Sequence, residues 1–148
     1  MSGGPPSEAF VDTRVLHDFR EEIEPLQDSI AEQLAARGYP LPSLFAIKLA
    51  LEEAINNAFR HGNRNERGKR VVIRVRIDTR QAVFEVQDEG HGFDPGTVPD
   101  PTLDENIEIP SGRGIMLIKA YMHEVSFVPP GNCIRMVYRN DPRAAARA

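Results

Sequence analysis

Two runs of alternating residues constrain the fold of this chain more than any other feature. Val71–Asp78 places Val or Ile at every second position, and Ala82–Gln87 follows after the short turn Thr79–Gln81. This alternation predicts two antiparallel strands with one buried face, joined as a hairpin. Because a sheet with one apolar face needs a second layer to cover it, we expect a two-layer domain.

Helical periodicity supplies the second layer. Asp18–Arg37 carries apolar residues three or four positions apart and is followed by Gly38 and Pro40, which end helices. Pro42–His61 predicts a second helix whose first half is apolar on all sides, and we expect that half to be buried. A short third helix is expected over Gly114–Met122.

Hairpin-linked strands with segregated helices predict an α+β fold: a two-layer α/β sandwich with a mostly antiparallel mixed sheet and helices on one face. The remaining strands are expected at Ala9–Leu16, Glu124–Val128 and Cys133–Tyr138. We expect one domain over residues 9–140, between disordered tails at residues 1–8 and 141–148.

Charge and composition exclude several classes of protein. The 148 residues carry a formal net charge of −4, so no basic field favours nucleic acid or an anionic membrane as partner. No apolar run approaches the roughly 20 residues that a membrane-spanning helix requires. Cys133 is the only cysteine, so it has no disulfide partner in the chain, and we expect no secretory signal at the N-terminus. We expect a cytoplasmic protein.

The predicted second helix carries a polar flank. Glu53, Asn57 and His61 are spaced by four residues and therefore lie along one side of the helix. Burying an amide and a carboxylate without partners is costly, whereas a magnesium–phosphate group would satisfy their oxygens. Glu53 could then take a proton from a hydroxyl or a water. The alternative is that both side chains simply face solvent.

Two glycine-containing motifs follow. In DEGHGF, Asp88 lies where a strand ends and could accept a hydrogen bond from an amino group such as that of adenine; Gly90 and Gly92 let the backbone approach a ligand. In SGRG, a glycine-rich segment opens a helix and presents N–H groups, with Arg113, to an anion. The alternatives are an acidic turn and a flexible hinge. The long segment Gly90–Ser111 between the motifs is expected to be a functional lid.

Taken in order, these motifs resemble those of the GHKL ATPase superfamily. LALEEAINNAFRHGN looks like its N box, DEGHGF like the first glycine box and PSGRGIMLIKAYMHEV like the second. Over roughly residues 41–138 the chain is similar to the small anti-sigma-factor serine/threonine protein kinases. These bind a sigma factor and phosphorylate an anti-anti-sigma (antagonist) protein, and they commonly form homodimers.

The resemblance implies ATP and Mg²⁺ as ligands and a role for each motif residue. Glu53 would be the catalytic base and Asn57 the magnesium ligand. The implied nucleotide contacts are Asp88 to adenine, Gly90 and Gly92 around the base, Gly112, Arg113 and Gly114 to the phosphates, and His61 near the phosphates.

Two departures keep other functions open. Gly131-Asn132 stands where the family often has Gly-Thr, with the threonine supporting the adenine-reading aspartate. The predicted lid is also acidic, which favours a non-catalytic module that uses nucleotide to sequester a sigma factor or another regulator. A third possibility is a detached histidine-kinase catalytic domain, which would require a phosphohistidine on a partner.

Overall fold

The computed structural model of the protein describes residues 8–63, 68–90, 112–129 and 132–140. They form one five-stranded sheet in the order β1-β2-β3-β5-β4, in which every pair of neighbouring strands is antiparallel. The strands are β1 Phe10–Leu16, β2 Val71–Ile77, β3 Gln81–Gln87, β4 Glu124–Val128 and β5 Cys133–Arg139. The helices are α1 Phe19–Ala36, α2 Leu41–Asn57 and α3 Gly112–Tyr121, with a π-helical turn at Ala58–Gly62 directly after α2.

The core lies between the sheet and the helices. The alternation predicted for β2 is confirmed, since Val71, Ile73, Val75 and Ile77 are all buried. These residues belong to one apolar cluster with buried side chains of all three helices, so the α+β two-layer prediction is confirmed. No described helix is long and apolar enough to cross a membrane.

Helix α1 is closed by local signals at both ends. The Asp18 carboxylate accepts hydrogen bonds from the Arg20 N–H (2.8 Å) and the Glu21 N–H, which are free donors of the first turn. After Arg37, Gly38 adopts a φ of +85°, the left-handed conformation that commonly terminates helices. The predicted range Asp18–Arg37 thus spans the helix and its two cap residues.

Two expectations about α2 were wrong. Its first half is not buried all round, because Leu41 is 79% and Phe45 62% exposed. Among the described elements, α1, α3 and the sheet cover only one side of α2. The α-helix also ends at Asn57 instead of continuing to His61, since the Asn63 N–H reaches the Ala58 carbonyl oxygen (2.9 Å) and widens the last turn.

The β2–β3 turn begins one residue earlier than predicted. Gln81 belongs to β3, where it pairs with Arg139, and so the turn is Asp78–Arg80. The Asp78 carboxylate closes it by accepting hydrogen bonds from the Arg80 and Gln81 N–H groups, both at 2.8 Å. The lid, apart from Gly90, and the proposed tails, apart from Glu8, lie outside the described residues.

Candidate functional site

A cavity opens where the end of α2 meets the end of β3 and the start of β5. Its volume is about 380 Å³ including the open mouth. The walls are mostly apolar, and three amide or carboxylate side chains project among them. The lining residues are Ala54, Asn57, Ala58, Val86, Asp88, Ile115, Ile118, Phe127, Asn132, Cys133 and Ile134. An apolar pocket with a few convergent polar groups is the usual form of a small-molecule site.

Asp88 supplies the carboxylate of this cavity. One of its oxygens accepts a hydrogen bond from the Gly90 N–H (2.7 Å), which fixes the side chain against the turn that follows β3. Burial raises the pKa of Asp88, although the Gly90 hydrogen bond and the charge of Lys69 oppose that rise. A partly desolvated acceptor of this kind can bind an amino group of a ligand strongly, because little water competes for it.

Asn132 supports Asp88 through the backbone. Its side-chain amide nitrogen donates to the Asp88 main-chain carbonyl (3.0 Å), and its own carbonyl accepts from the Asp88 N–H (2.9 Å). The residue that replaces the family's threonine therefore holds the position of Asp88 without bonding its carboxylate. Among the described residues, Gly90 donates to the Asp88 carboxylate.

Two glycines let the π-helical turn lie directly against the β3 turn. A Cβ atom on Gly62 would overlap the Asp88 carboxylate, and one on Gly90 would overlap the Gly62 carbonyl oxygen. Only residues without side chains fit at both positions. The prediction for Gly90 concerned contact with a ligand, whereas the structure shows contact with the protein's own backbone.

Asn63 is a site residue that the sequence reasoning missed. It begins a polar stretch of the sequence, NRNERGK, yet it is only 1% exposed. Its amide oxygen accepts from the Glu89 N–H (2.7 Å) and its amide nitrogen donates to the Arg70 carbonyl (3.0 Å). Asn63 thereby ties the end of the π-helical turn to both flanks of the β2–β3 hairpin. The Gly62-Asn63 pair directly after the predicted second helix was the sequence signal that could have identified this residue.

Glu53 and Asn57 converge on the start of α3. Both are half-buried on neighbouring turns of α2, and Gly114 faces them. A Cβ atom on Gly114 would lie 2.7 Å from the Glu53 Oε1 and 2.8 Å from the Asn57 Nδ2. The glycine-rich helix start therefore meets the polar flank of α2, as an anion site shared by the two helices requires.

Glu53 and Asn57 nevertheless face different spaces. Asn57 lines the cavity that contains Asp88. Glu53 lines a neighbouring recess between α1, α2 and α3, formed by Phe19, Leu49, Glu52, Glu53, Asn56 and Leu117. The beginning of α3 lies close to both side chains.

Residues 19–138 match the family of histidine kinase-like ATPase domains. The chain belongs to this family. The match runs from α1 into β5 and includes all three motifs, so the GHKL-type resemblance is confirmed at the level of the superfamily. A search of curated proteins found no match.

The histidine kinase-like ATPase domain brings most of its predicted site residues together. Glu53, Asn57 and Gly114 lie close together, and Asp88, which accepts a hydrogen bond from Gly90, lines the same cavity as Asn57. His61 is half-buried in the π-helical turn that joins the two groups. Gly112 and Arg113 begin α3, where only their backbone is described, and Gly92 lies outside the described residues.

The donor set fits magnesium held together with phosphates. Within the described parts of the chain, no three His, Cys, Asp or Glu side chains form a metal-binding group. The polar flank offers one amide and one carboxylate, which are hard oxygen donors. Because Mg²⁺ in proteins usually takes one or two such ligands and completes its shell with phosphate and water, these residues suit a nucleotide-bound ion.

Proposed function

We propose that this ATPase domain is an anti-sigma regulatory factor that phosphorylates a serine or threonine on an antagonist protein. The observation that carries the proposal is the position of Gly114, whose Cα faces both Glu53 and Asn57 at the edge of the cavity. A carboxylate, an amide and a helix N-terminus then lie close to one another, and these are groups that phosphoryl transfer uses.

The base and the phosphates would occupy opposite ends of the site. Asp88 would accept a hydrogen bond from the adenine amino group, while Ile115, Ile118 and Phe127 supply apolar walls. The N–H groups at the start of α3 would bind phosphate oxygens, where the helix dipole favours negative charge. Arg113 would add a positive charge that suits phosphate.

Asn57 and Glu53 would divide the remaining tasks. The Asn57 side-chain oxygen would hold Mg²⁺, which when bound neutralises charge on the phosphates. Glu53 would accept the proton of the attacking Ser or Thr hydroxyl while the hydroxyl oxygen bonds to phosphorus and ADP leaves. Most of the rate enhancement would come from positioning and electrostatics.

Removing the proposed base tests the kinase activity. We expect Glu53→Gln to retain ATP binding and to lose phosphotransfer from labelled ATP to the partner. The matched control is Glu52→Gln, which removes an exposed carboxylate one position away and should leave the rate unchanged. A Glu53→Gln protein that phosphorylates its partner at the normal rate would rule out the assignment.

The partner must be identified independently. We propose a sigma factor and its antagonist, found by copurification from cells and identified by mass. The phosphorylated residue separates the kinase from a detached histidine-kinase domain, because phosphoserine and phosphothreonine survive acid whereas phosphohistidine does not. An acid-labile product would contradict the serine/threonine assignment.

A second candidate is a binding module without catalysis, and the position of Glu53 favours it. Its carboxylate lines a recess beside the cavity that holds Asn57 and Asp88. Nucleotide would then control sequestration of a sigma factor or another regulator. This function predicts that the protein binds the regulator one to one and only in a nucleotide-dependent way. The regulator would acquire no label from ATP, and Glu53→Gln would not change its binding.

A further inference from the structure

Asn63 is buried next to the cavity of Asp88 but does not line it. Its side-chain oxygen accepts a hydrogen bond from the N–H of Glu89, the residue that follows Asp88, at 2.7 Å. Its side-chain nitrogen donates to the Arg70 carbonyl at 3.0 Å. A buried amide that is bonded at both ends fixes the backbone segments that it joins, because neither bond can be replaced by water.

Asn63, Glu89 and Arg70 form a closed ring of hydrogen bonds. The Glu89 carboxylate accepts a hydrogen bond from the Arg70 N–H, and its other oxygen lies 3.7 Å from the Arg70 guanidinium. Each of the three residues therefore contacts the two others. Because the ring is closed, the backbone at Glu89, directly after Asp88, is fixed relative to Asn63 and Arg70.

The backbone of Asn63 also fixes the surface that touches the Asp88 carboxylate. The Asn63 N–H donates to the Ala58 carbonyl (2.9 Å), which closes the π-helical turn and places Gly62. Gly62 lies so close to the Asp88 carboxylate that an added Cβ atom would overlap it. Gly90, whose N–H donates to this carboxylate at 2.7 Å, packs against the Gly62 carbonyl. A shift of Asn63 would therefore move both neighbours of the Asp88 side chain.

On the basis of the proposed function, in which Asp88 accepts a hydrogen bond from the adenine amino group, we propose that Asn63 is a positioning residue that sets the selectivity for adenine over guanine. Adenine presents an amino donor where guanine presents a carbonyl acceptor. An ionised carboxylate binds the amino group and repels the carbonyl, and both effects depend on its distance and direction. Asn63 controls that geometry without touching the nucleotide.

The ratio of ATP to GTP affinity tests this role, because a merely structural residue would not change it. Calorimetric titration of the full chain with each nucleotide and Mg²⁺ measures the ratio. The wild-type protein should bind ATP more tightly than GTP. Asn63→Ala should lower the ratio about tenfold or more, since the carboxylate then loses its position against the base. An equal fall in both affinities, with an unchanged ratio, would overturn the proposal.

Gln27→Ala is the matched control. Gln27 is also a buried amide, 6% exposed, and its side-chain nitrogen donates to the Lys48 carbonyl (3.0 Å), which joins α1 to α2 outside the cavity. Gln27→Ala should lose stability in urea unfolding, as Asn63→Ala should, and should keep the wild-type ratio of affinities. If Gln27→Ala lowered the ratio equally, destabilisation alone would explain the effect and the positioning role would be wrong.

Two substitutions of Glu89 test the ring at an exposed residue, so they give a result even if Asn63→Ala does not fold. Glu89→Ala removes the acceptor of the Arg70 N–H, whereas Glu89→Gln retains an acceptor oxygen and removes only the charge. The charge acts on the phosphates of both nucleotides alike and cancels in the ratio. We expect Glu89→Ala to lower the ratio about two- to tenfold and Glu89→Gln to preserve it. Equal ratios in the two variants would contradict the role of the ring.

Asp88→Asn separates a failure of this proposal from a failure of the proposed function. An amide can donate as well as accept, so Asp88→Asn should lose the preference for ATP over GTP. If it does, while Asn63→Ala and Glu89→Ala keep the wild-type ratio, Asn63 only stabilises the fold and the positioning role is overturned. If Asp88→Asn itself keeps the wild-type ratio, Asp88 does not contact the base, and the proposed nucleotide contact is wrong as well.

Discussion

Gly114→Ala should separate nucleotide binding from stability. The new Cβ atom would lie 2.7 Å from the Glu53 Oε1 and 2.8 Å from the Asn57 Nδ2, whereas ordinary contact begins near 3.4 Å. Each side-chain end must therefore move by about 0.6–0.7 Å. Both are the ends of flexible side chains, so the movement costs little energy.

The expected effects on folding and function differ in size. Within a helix, alanine is favoured over glycine by about 0.5–1 kcal/mol, which offsets the displacement, so the free energy of unfolding should stay within about 1 kcal/mol of the wild type. A displacement approaching 1 Å at groups that position a substrate can cost on the order of 100-fold. We expect ATP affinity or phosphotransfer to fall at least tenfold.

Gly38→Ala is the matched control. Gly38 has a φ of +85° with nothing within 4 Å of an added Cβ atom, so this variant introduces backbone strain alone. It should lose about 1 kcal/mol of stability and retain nucleotide binding. Urea unfolding and calorimetric titration with ATP and Mg²⁺ measure both quantities. Unchanged affinity together with unchanged phosphotransfer in Gly114→Ala would refute the claim that the start of α3 acts together with Glu53 and Asn57.

Three further predictions concern single side chains. Asp88→Asn should unfold at a higher temperature than the wild type at pH 7 and should lose ATP affinity. Burial raises the Asp88 pKa, so the stability that the protonated carboxyl contributes is present below the ordinary pKa of Asp and is lost as the pH rises through the raised pKa. The gain should disappear toward pH 3 in a series of thermal melts. Cys133 should react slowly with a thiol reagent, because burial and, to a smaller extent, the charge of Glu85 raise its pKa. ATP should slow the reaction further because Cys133 lines the cavity. Equal rates with and without ATP would contradict this. Asp18→Ala should lower the free energy of unfolding by about 1 kcal/mol through loss of the α1 cap, and an unchanged urea midpoint would contradict that role.

Most of the fold could be predicted because its signals are local. The alternation of β2 and the periodicity of α1 depend on which face of each element is buried, and the structure has those faces where they were predicted. The exposure of Leu41 and Phe45 could not be predicted, because the apolar residues of a helix do not show how many other elements will pack around it.

The site was predictable where a motif lies at the end of an element. Asn57 ends α2 and Asp88 follows β3, so a two-layer arrangement brings them together. The contacts of Gly62 with Asp88 and Gly90 were not predictable, because they depend on the wide π-helical turn. The hydrogen bond from the Asn132 side chain to the Asp88 main-chain carbonyl was also not predictable, because the residue type alone does not show which group its amide contacts.

Calorimetric titration of Asn57→Ala with ATP, in the presence and absence of Mg²⁺, tests the central claim most directly. The wild-type protein should bind ATP more tightly with Mg²⁺ than without it, and the variant should lose that difference. Asn56→Ala, which changes the neighbouring amide outside the cavity, should behave like the wild type. An Asn57→Ala protein with the full magnesium effect would contradict a nucleotide site between α2, β3 and α3.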